Sequence, residues 1–141
     1  MKKTQGPPKY KHVLLVDEDQ IDNYINERII TSSNFADRVT VQNSGRGALN
    51  FLAGTEPGTE DFPQIIFLDL NMPIMDGFAF LDEYAKLVEK NPAIERATKI
   101  IVLSSSISPQ DIDRASANPF VFRYLNKPLT EKYLEAVNVR V

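Results

Sequence analysis

Short apolar runs alternate with helical patterns along the chain. Val13-Leu14-Leu15-Val16 is an unbroken apolar stretch that stops abruptly at Asp17-Glu18-Asp19. A run of this length bounded by charge reads as a strand covered on both faces. Ile21, Ile25 and Ile29 then recur at helical spacing, followed by a weaker strand at Val39-Thr40-Val41. Ser44 can cap a short helix carrying Ala48, Leu49 and Leu52, and Gly54 to Pro63 reads as a loop. Ile65-Ile66-Phe67-Leu68 is the third strand, closed by Asp69. Phe78, Leu81, Ala85 and Val88 form a helical stripe after Asp76-Gly77, and Asn91-Pro92 ends that helix. Ile100-Ile101-Val102-Leu103 is the fourth strand and runs into Ser104-Ser105-Ser106. Ser108-Pro109-Gln110-Asp111 has the chemistry of a helix start, with a hydroxyl cap, a proline in the first turn and an acid three residues on. Val121 to Leu125 is the fifth strand, on which strict alternation puts Phe122 and Tyr124 on one face and Val121, Arg123 and Leu125 on the other. Thr130 can cap a last helix bearing Leu134 and Val137.

Five strands therefore alternate with five helical stretches. This predicts an α/β fold, a doubly wound five-stranded parallel sheet with helices on both faces. There is no internal repeat or second domain in the pattern. Residues 1–10 are expected to be a flexible N-terminal arm and residues 11–141 the folded domain.

Composition narrows the function. The chain has 141 residues, 43% of them hydrophobic, enough for one core that needs no disulfide or structural metal. Its net charge of −3 and lack of a basic block argue against direct nucleic-acid binding. Cysteine is absent, which removes thiol chemistry. The first eleven residues carry no apolar signal core, and no stretch approaches the ~20 apolar residues of a membrane span. A soluble cytoplasmic protein without membrane partners is the expectation.

In open α/β sheets, ligands bind beyond the carboxyl ends of the strands. Strand one ends in Asp17, Glu18 and Asp19; strand three in Asp69 and then Asn71; strand four in Ser104 to Ser106; strand five in Asn126, Lys127 and Pro128. Clustered carboxylates raise one another's pKa unless a cation sits among them. Oxygen ligands select a hard cation, and Mg2+ commonly keeps waters for a phosphoryl partner. A lysine beside such a site is a point-charge partner for phosphate, and a carboxylate can itself accept a phosphoryl group.

The motifs resemble those of one known family. Val16-Asp17-Glu18, Leu68-Asp69-Leu70-Asn71-Met72-Pro73 through Met75-Asp76-Gly77, Ser104-Ser105, and Tyr124-Leu125-Asn126-Lys127-Pro128 are similar to the receiver-domain motifs of two-component response regulators, in order and over about residues 11–138. The resemblance implies a flavodoxin-like (βα)5 receiver fold and a phosphoacceptor switch, chemotaxis-regulator-like, that helps its own phosphorylation without being a turnover enzyme. It implies Asp69 as acceptor, with Asp17, Glu18, Asp69 and the Asn71 carbonyl holding Mg2+ or Mn2+. Ser104 matches the switch hydroxyl, Lys127 the phosphate-pairing lysine, and Tyr124 the aromatic switch. The bond before Pro128 is a candidate cis peptide. Glu18 stands where Asp is commoner, and Ser104 where Thr is frequent. The implied partners are a sensor histidine kinase or histidine phosphotransfer protein and a downstream protein that the sequence does not identify. Only residues 129–141 follow Pro128, room for one helix, so the chain is either a stand-alone receiver or part of a longer regulator.

Other readings compete. A flavin or nucleotide carrier would need a phosphate-cradling loop after strand one, where Asp17-Glu18-Asp19 stands instead. An aspartyl-phosphate phosphatase would carry a second acid two residues after its nucleophile, and that residue is Asn71. An interaction domain that never takes phosphate is the third alternative. His12 reads as structural or solvent-exposed, Met72 and Met75 as loop packing, and Phe78, Phe80 and Tyr84 as core and helix flank and not a cofactor box.

Overall fold

The computed structural model describes residues 6–141. Five strands, β1 (Tyr10–Val16), β2 (Ala36–Gln42), β3 (Ile65–Leu68), β4 (Lys99–Ser104) and β5 (Val121–Asn126), form one sheet. Every neighbouring pair is parallel, and the order is β2-β1-β3-β4-β5. This is the flavodoxin-like arrangement, whose ligand crevice opens where the winding reverses, between β1 and β3.

Side-chain alternation divides the interior in two. Leu14, Val16, Ile66, Leu68, Ile100 and Val102 face α2 (Gly45–Ala53), α3 (Gly77–Lys90) and α5 (Pro109–Ala117). Val13, Leu15, Ile65, Phe67, Ile101 and Leu103 face α1 (Gln20–Ser32) and α6 (Glu131–Ala136). The central strands are buried on both sides, which is why they are continuous apolar runs in the sequence. The cap residues act as their chemistry suggests: Ser44, Ser108 and Thr130 accept from the first-turn amides of α2, α5 and α6. His12 is buried and structural, its ring nitrogens 2.9 Å from the Asp61 carbonyl and 2.6 Å from the Thr40 hydroxyl.

Four local expectations are corrected. The expected N-terminal arm reached residue 10, but Tyr10 opens β1 and is buried. Its hydroxyl donates to the Val139 carbonyl at 3.0 Å and accepts from the Val139 amide at 2.7 Å, tying the strand to the chain's end. Residues 1–5 of that expectation lie outside the described residues. A sixth helical segment, α4 (Ala93–Ala97), follows Asn91-Pro92, anchored by buried Ile94. One turn is too short to register as periodicity. The Ile21/Ile25 stripe of α1 faces solvent, with Ile21 71% and Ile25 45% exposed, while Asn23, Asn26 and Ile30 point inward. Alternation also fails in β5. Ile100 pairs with Val121 but Ile101 pairs with Arg123, so Phe122 is an extra residue in a bulge. Phe122 is 42% exposed, and Tyr124 packs on the same core as Val121 instead of beside Phe122.

One glycine fixes the approach of α3 to the end of β3. The Gly77 amide donates to the Leu70 carbonyl at 2.9 Å, and a Cβ there would lie 2.7 Å from both the Asp69 carbonyl oxygen and Leu70 Cα. Both neighbours are backbone and cannot swing aside. Gly77→Ala should therefore cost on the order of 1–3 kcal/mol through forced displacement of the Asp69 loop. Gly54→Ala, where the nearest atom is 3.4 Å away, should be near neutral. Urea unfolding midpoints of the two variants check this, and equal midpoints would contradict it.

Candidate functional site

Four strand ends and one helix meet at the crevice. Parallel pairing carries past the strands themselves: the Asp17 amide donates to the Gln42 carbonyl at 3.2 Å, and the Asp69 amide to the Val16 carbonyl at 3.0 Å. Asp17 and Asp69 are thereby held side by side, and both are buried. The Lys127 amide donates to the Ser104 carbonyl at 2.9 Å, and the Lys127-Pro128 bond is cis, as anticipated. The lysine side chain crosses the sheet end to the acids.

Its ammonium lies 2.8 Å from Asp17 Oδ2, 2.7 Å from Asp22 Oδ2 and 3.7 Å from Asp69 Oδ2. The first two are hydrogen bonds; the third is only charge proximity. The second oxygen of Asp17 accepts from the Asp19 amide at 2.9 Å. Asp69 Oδ1, by contrast, is buried and has no hydrogen-bond partner. Burial and the adjacent Asp17 charge push the Asp69 carboxyl up to about 6, with Asp22 adding to the rise; Lys127 and the Asn71 amide only partly offset them. Lys127 shifts upward: burial works against its charge, but the hydrogen bonds to Asp17 and Asp22 and the Asp69 and Asp17 charges prevail.

A second network sits on the β4 side. Ser104 is fully buried, and its hydroxyl accepts from the Ser106 amide at 3.1 Å. The Ser106 carbonyl accepts from the Tyr124 hydroxyl at 2.8 Å and from Asn126 Nδ2 at 3.0 Å. One residue of the β4–α5 loop thus touches both Ser104 and Tyr124.

The structure brings Asp17, Asp69 and Lys127 into direct proximity, with Ser104 at the neighbouring strand end. Glu18 and the Asn71 side chain are exposed, and among the described residues no three His, Cys, Asp or Glu side chains stand in metal-ligating geometry. The acids are arranged instead around an ammonium. The unpartnered Asp69 oxygen and its raised pKa still describe a place short of positive charge, and its oxygen donors fit a hard divalent cation. Sequence reading missed Asp22 and Asn23. Asn23 is buried, and its Nδ2 donates to the Asp17 carbonyl at 2.8 Å. The signal was present: Asp19 caps α1, and Asp22, Asn23, Asn26 and Ile30 follow at three- and four-residue steps, placing a polar helix face against the strand-end acids.

A family model described as the response regulator receiver domain matches residues 13–138. Among curated proteins, the chain is 30% identical over 118 residues to a probable methanogenesis regulatory protein, FilR2, of Methanothrix harundinacea, covering 84% of this chain and 72% of that protein. It is 32% identical over 133 residues to the two-component response regulator ORR1 of Oryza sativa subsp. japonica, covering 91% of this chain and 54%, about half, of that regulator. A solved two-component response regulator from Cytophaga hutchinsonii superposes with a TM-score of 0.76 at 33% identity, covering 89% of this chain and 91% of the other.

The crowded acids carry a stability consequence. A carboxyl that ionises near 4 in the unfolded chain and near 6 in the fold disfavours folding once it is charged. The penalty is absent below the unfolded value and complete above the folded one, reaching about 3 kcal/mol as an upper figure. With divalent cations chelated, Asp69→Asn should raise urea stability at pH 7.5 by about 1–3 kcal/mol, with the gain falling to about half at pH 5. A loss of stability, or a gain that does not change with pH, would show that the site carries no such penalty.

Proposed function

The chain belongs to the response regulator receiver family, and on that premise we propose that it is a phosphoacceptor switch of a two-component phosphorelay, with Asp69 as the acceptor. The observation that carries the reading is the buried, unpartnered Asp69 oxygen with the Lys127 ammonium 3.7 Å from its twin. An unpaired carboxylate oxygen is a free nucleophile, and the nearby cation can meet charge that develops on a transferring phosphoryl group.

In the proposed step, the Asp69 carboxylate attacks phosphorus in a phosphohistidine of a sensor kinase or phosphotransfer protein. The new bond is O–P, the broken bond is P–N, and its electron pair returns to the imidazole of the donor. Asp17 and Asp69, completed by Glu18 and the Asn71 carbonyl, would hold Mg2+ or Mn2+. That ion would supply charge neutralisation on the phosphoryl oxygens. Lys127 supplies the second positive charge, and burial of the site limits water's access to the acyl phosphate. The product stays on the protein, so the chain acts as substrate and switch instead of turning over.

Support for a docked protein donor comes from the rim. Ile21, Tyr24 and Ile25 on α1, Ile74 in the β3–α3 loop and Ile107 in the β4–α5 loop are all exposed. They follow the carboxyl ends of β1, β3 and β4, the sheet end that carries Asp69, and exposed apolar side chains grouped at one end of a fold suit an interaction site. Such a donor is met in the cytoplasm. For output, a phosphoryl oxygen that draws the Ser104 hydroxyl would take it from the Ser106 amide, whose residue also holds Tyr124. The response would therefore run through Ser106 to Tyr124 and the downstream partner's surface, a two-state shift that partner binding reinforces.

A small phosphodonor with Mg2+ should add one phosphoryl group, labile to base and hydroxylamine, as read by intact mass. Asp69→Asn should take up none, and Lys127→Ala should label on the order of tenfold more slowly or worse. Undiminished labelling of Asp69→Asn would reject the acceptor.

Beryllofluoride, an aspartyl-phosphate mimic, should shift the amides of Ser104, Ser106 and Tyr124 and extend into α5. Shifts confined to the surroundings of Asp17, Asp69 and Lys127 would remove the output route.

A further inference from the structure

The shortest contact of the Lys127 ammonium is with none of the strand-end acids but with Asp22, on the first turn of α1, at 2.7 Å. We infer that Asp22 is a positioning residue for Lys127: it holds the ammonium at the rim of the site when a divalent cation occupies the space beside Asp17 and Asp69. The inference rests on the phosphoacceptor reading only in taking those two acids as metal ligands.

The argument is one of charge and access. One ammonium has three N–H donors, and here two are directed at Asp17 Oδ2 and Asp22 Oδ2. The other oxygen of Asp17 already accepts from the Asp19 amide, so a cation approaching Asp17 competes with Lys127 for Oδ2. Like charges cannot both stay there. The lysine side chain is 15% exposed, so an ammonium driven off Asp17 with no other partner would be stranded in a poorly solvated position. Asp22 is 37% exposed and lies outside the strand-end pair. It gives the ammonium a partner that it already holds and that the metal does not need. It also leaves Lys127 close enough to return to a phosphoryl group on Asp69. Without Asp22, the ammonium would stay on Asp17 and Asp69 and oppose the metal.

Amide-shift titrations with Mg2+ alone, on the wild type, Asp22→Asn, Lys127→Ala and the double variant, test this without any phosphorylation. Asp22→Asn removes a negative charge, so some loss of affinity is expected whatever its role. The diagnostic quantity is the coupling. The loss caused by Asp22→Asn should be about three- to tenfold larger with Lys127 present than in the Lys127→Ala background, the scale of one charge-assisted hydrogen bond at a partly exposed site. Asp22→Glu should recover most of the affinity. The Lys127 ammonium nitrogen resonance should stay visible in Mg2+-saturated wild type and broaden in Mg2+-saturated Asp22→Asn. Equal losses in the two backgrounds would reduce Asp22 to a distant charge and overturn the inference. A wild type that binds no Mg2+ would overturn it as well. If the coupling is found but Asp69 takes no phosphoryl group, the acceptor reading falls and the role of Asp22 stands.

Discussion

A single ammonium faces three carboxylates at the carboxyl end of the sheet, and the organisation of the site follows from that imbalance. Lys127 satisfies Asp17 and Asp22 by hydrogen bonds and reaches Asp69 only at 3.7 Å. Two negative charges are left over if all three acids ionise, in a place largely closed to water. The protein does not relieve this by moving the acids apart. Asp17 and Asp69 are fixed by backbone hydrogen bonds that continue the β1–β2 and β1–β3 ladders, so separating them would break the sheet. The cost falls on Asp69, whose carboxyl is pushed up to about 6 by burial first and then by the Asp17 charge. Groups at functional sites are often held at such a cost, and the two apolar cores on either side of the sheet are what allow it.

The same imbalance explains why the site reads as poised and not as a finished metal centre. Among the described residues no three acid side chains stand in metal-ligating geometry; the Lys127 ammonium sits among Asp17, Asp22 and Asp69 instead. In the proposed function, admission of a divalent ion and movement of Lys127 would therefore be one event. That exchange would let one lysine serve first as counter-charge to the acids and later as partner to a phosphoryl group.

Much of this was legible in the sequence, for a physical reason. The central strands are buried on both faces and must be apolar throughout, so they end visibly where the polar crevice begins, at Val16 to Asp17, Leu68 to Asp69 and Leu103 to Ser104; the half-exposed edge strand β5 shows a similar change at Leu125 to Asn126. Those four boundaries mark which residues a parallel sheet brings to its carboxyl edge. The features that escaped depend on tertiary context. Ile21 and Ile25 form a good helical stripe, but the fold turns it outward and buries Asn23 and Asn26, because that face meets polar strand ends as well as core. A hydrophobic pattern cannot tell a core face from an exposed apolar one. The Phe122 bulge is likewise invisible, since an extra residue in one strand shows only against its partner. Asp22 escapes such a reading because it lies in the first turn of α1, and only the packing of that helix turns it toward Lys127.

The bulge also bears on how a change at Asp69 could travel. Had β5 alternated strictly, Tyr124 would lie beside Phe122 and away from Val121. The inserted residue instead places Tyr124 with Val121 on the core shared with α3 and α5, with its hydroxyl 2.8 Å from the Ser106 carbonyl. Asn126 reaches the same carbonyl from the next turn of the pleat, and the Ser106 amide meets the buried Ser104 hydroxyl. A peptide segment that donates to one side chain and accepts from two others cannot shift without disturbing all three. Ser106 is thus the mechanical link between the phosphoryl side of β4 and the aromatic side of β5. Because its partners are short polar contacts and not deep apolar packing, the free-energy difference between two arrangements of this loop can be small. In the proposed function, a change in charge at Asp69 would select between them through this loop.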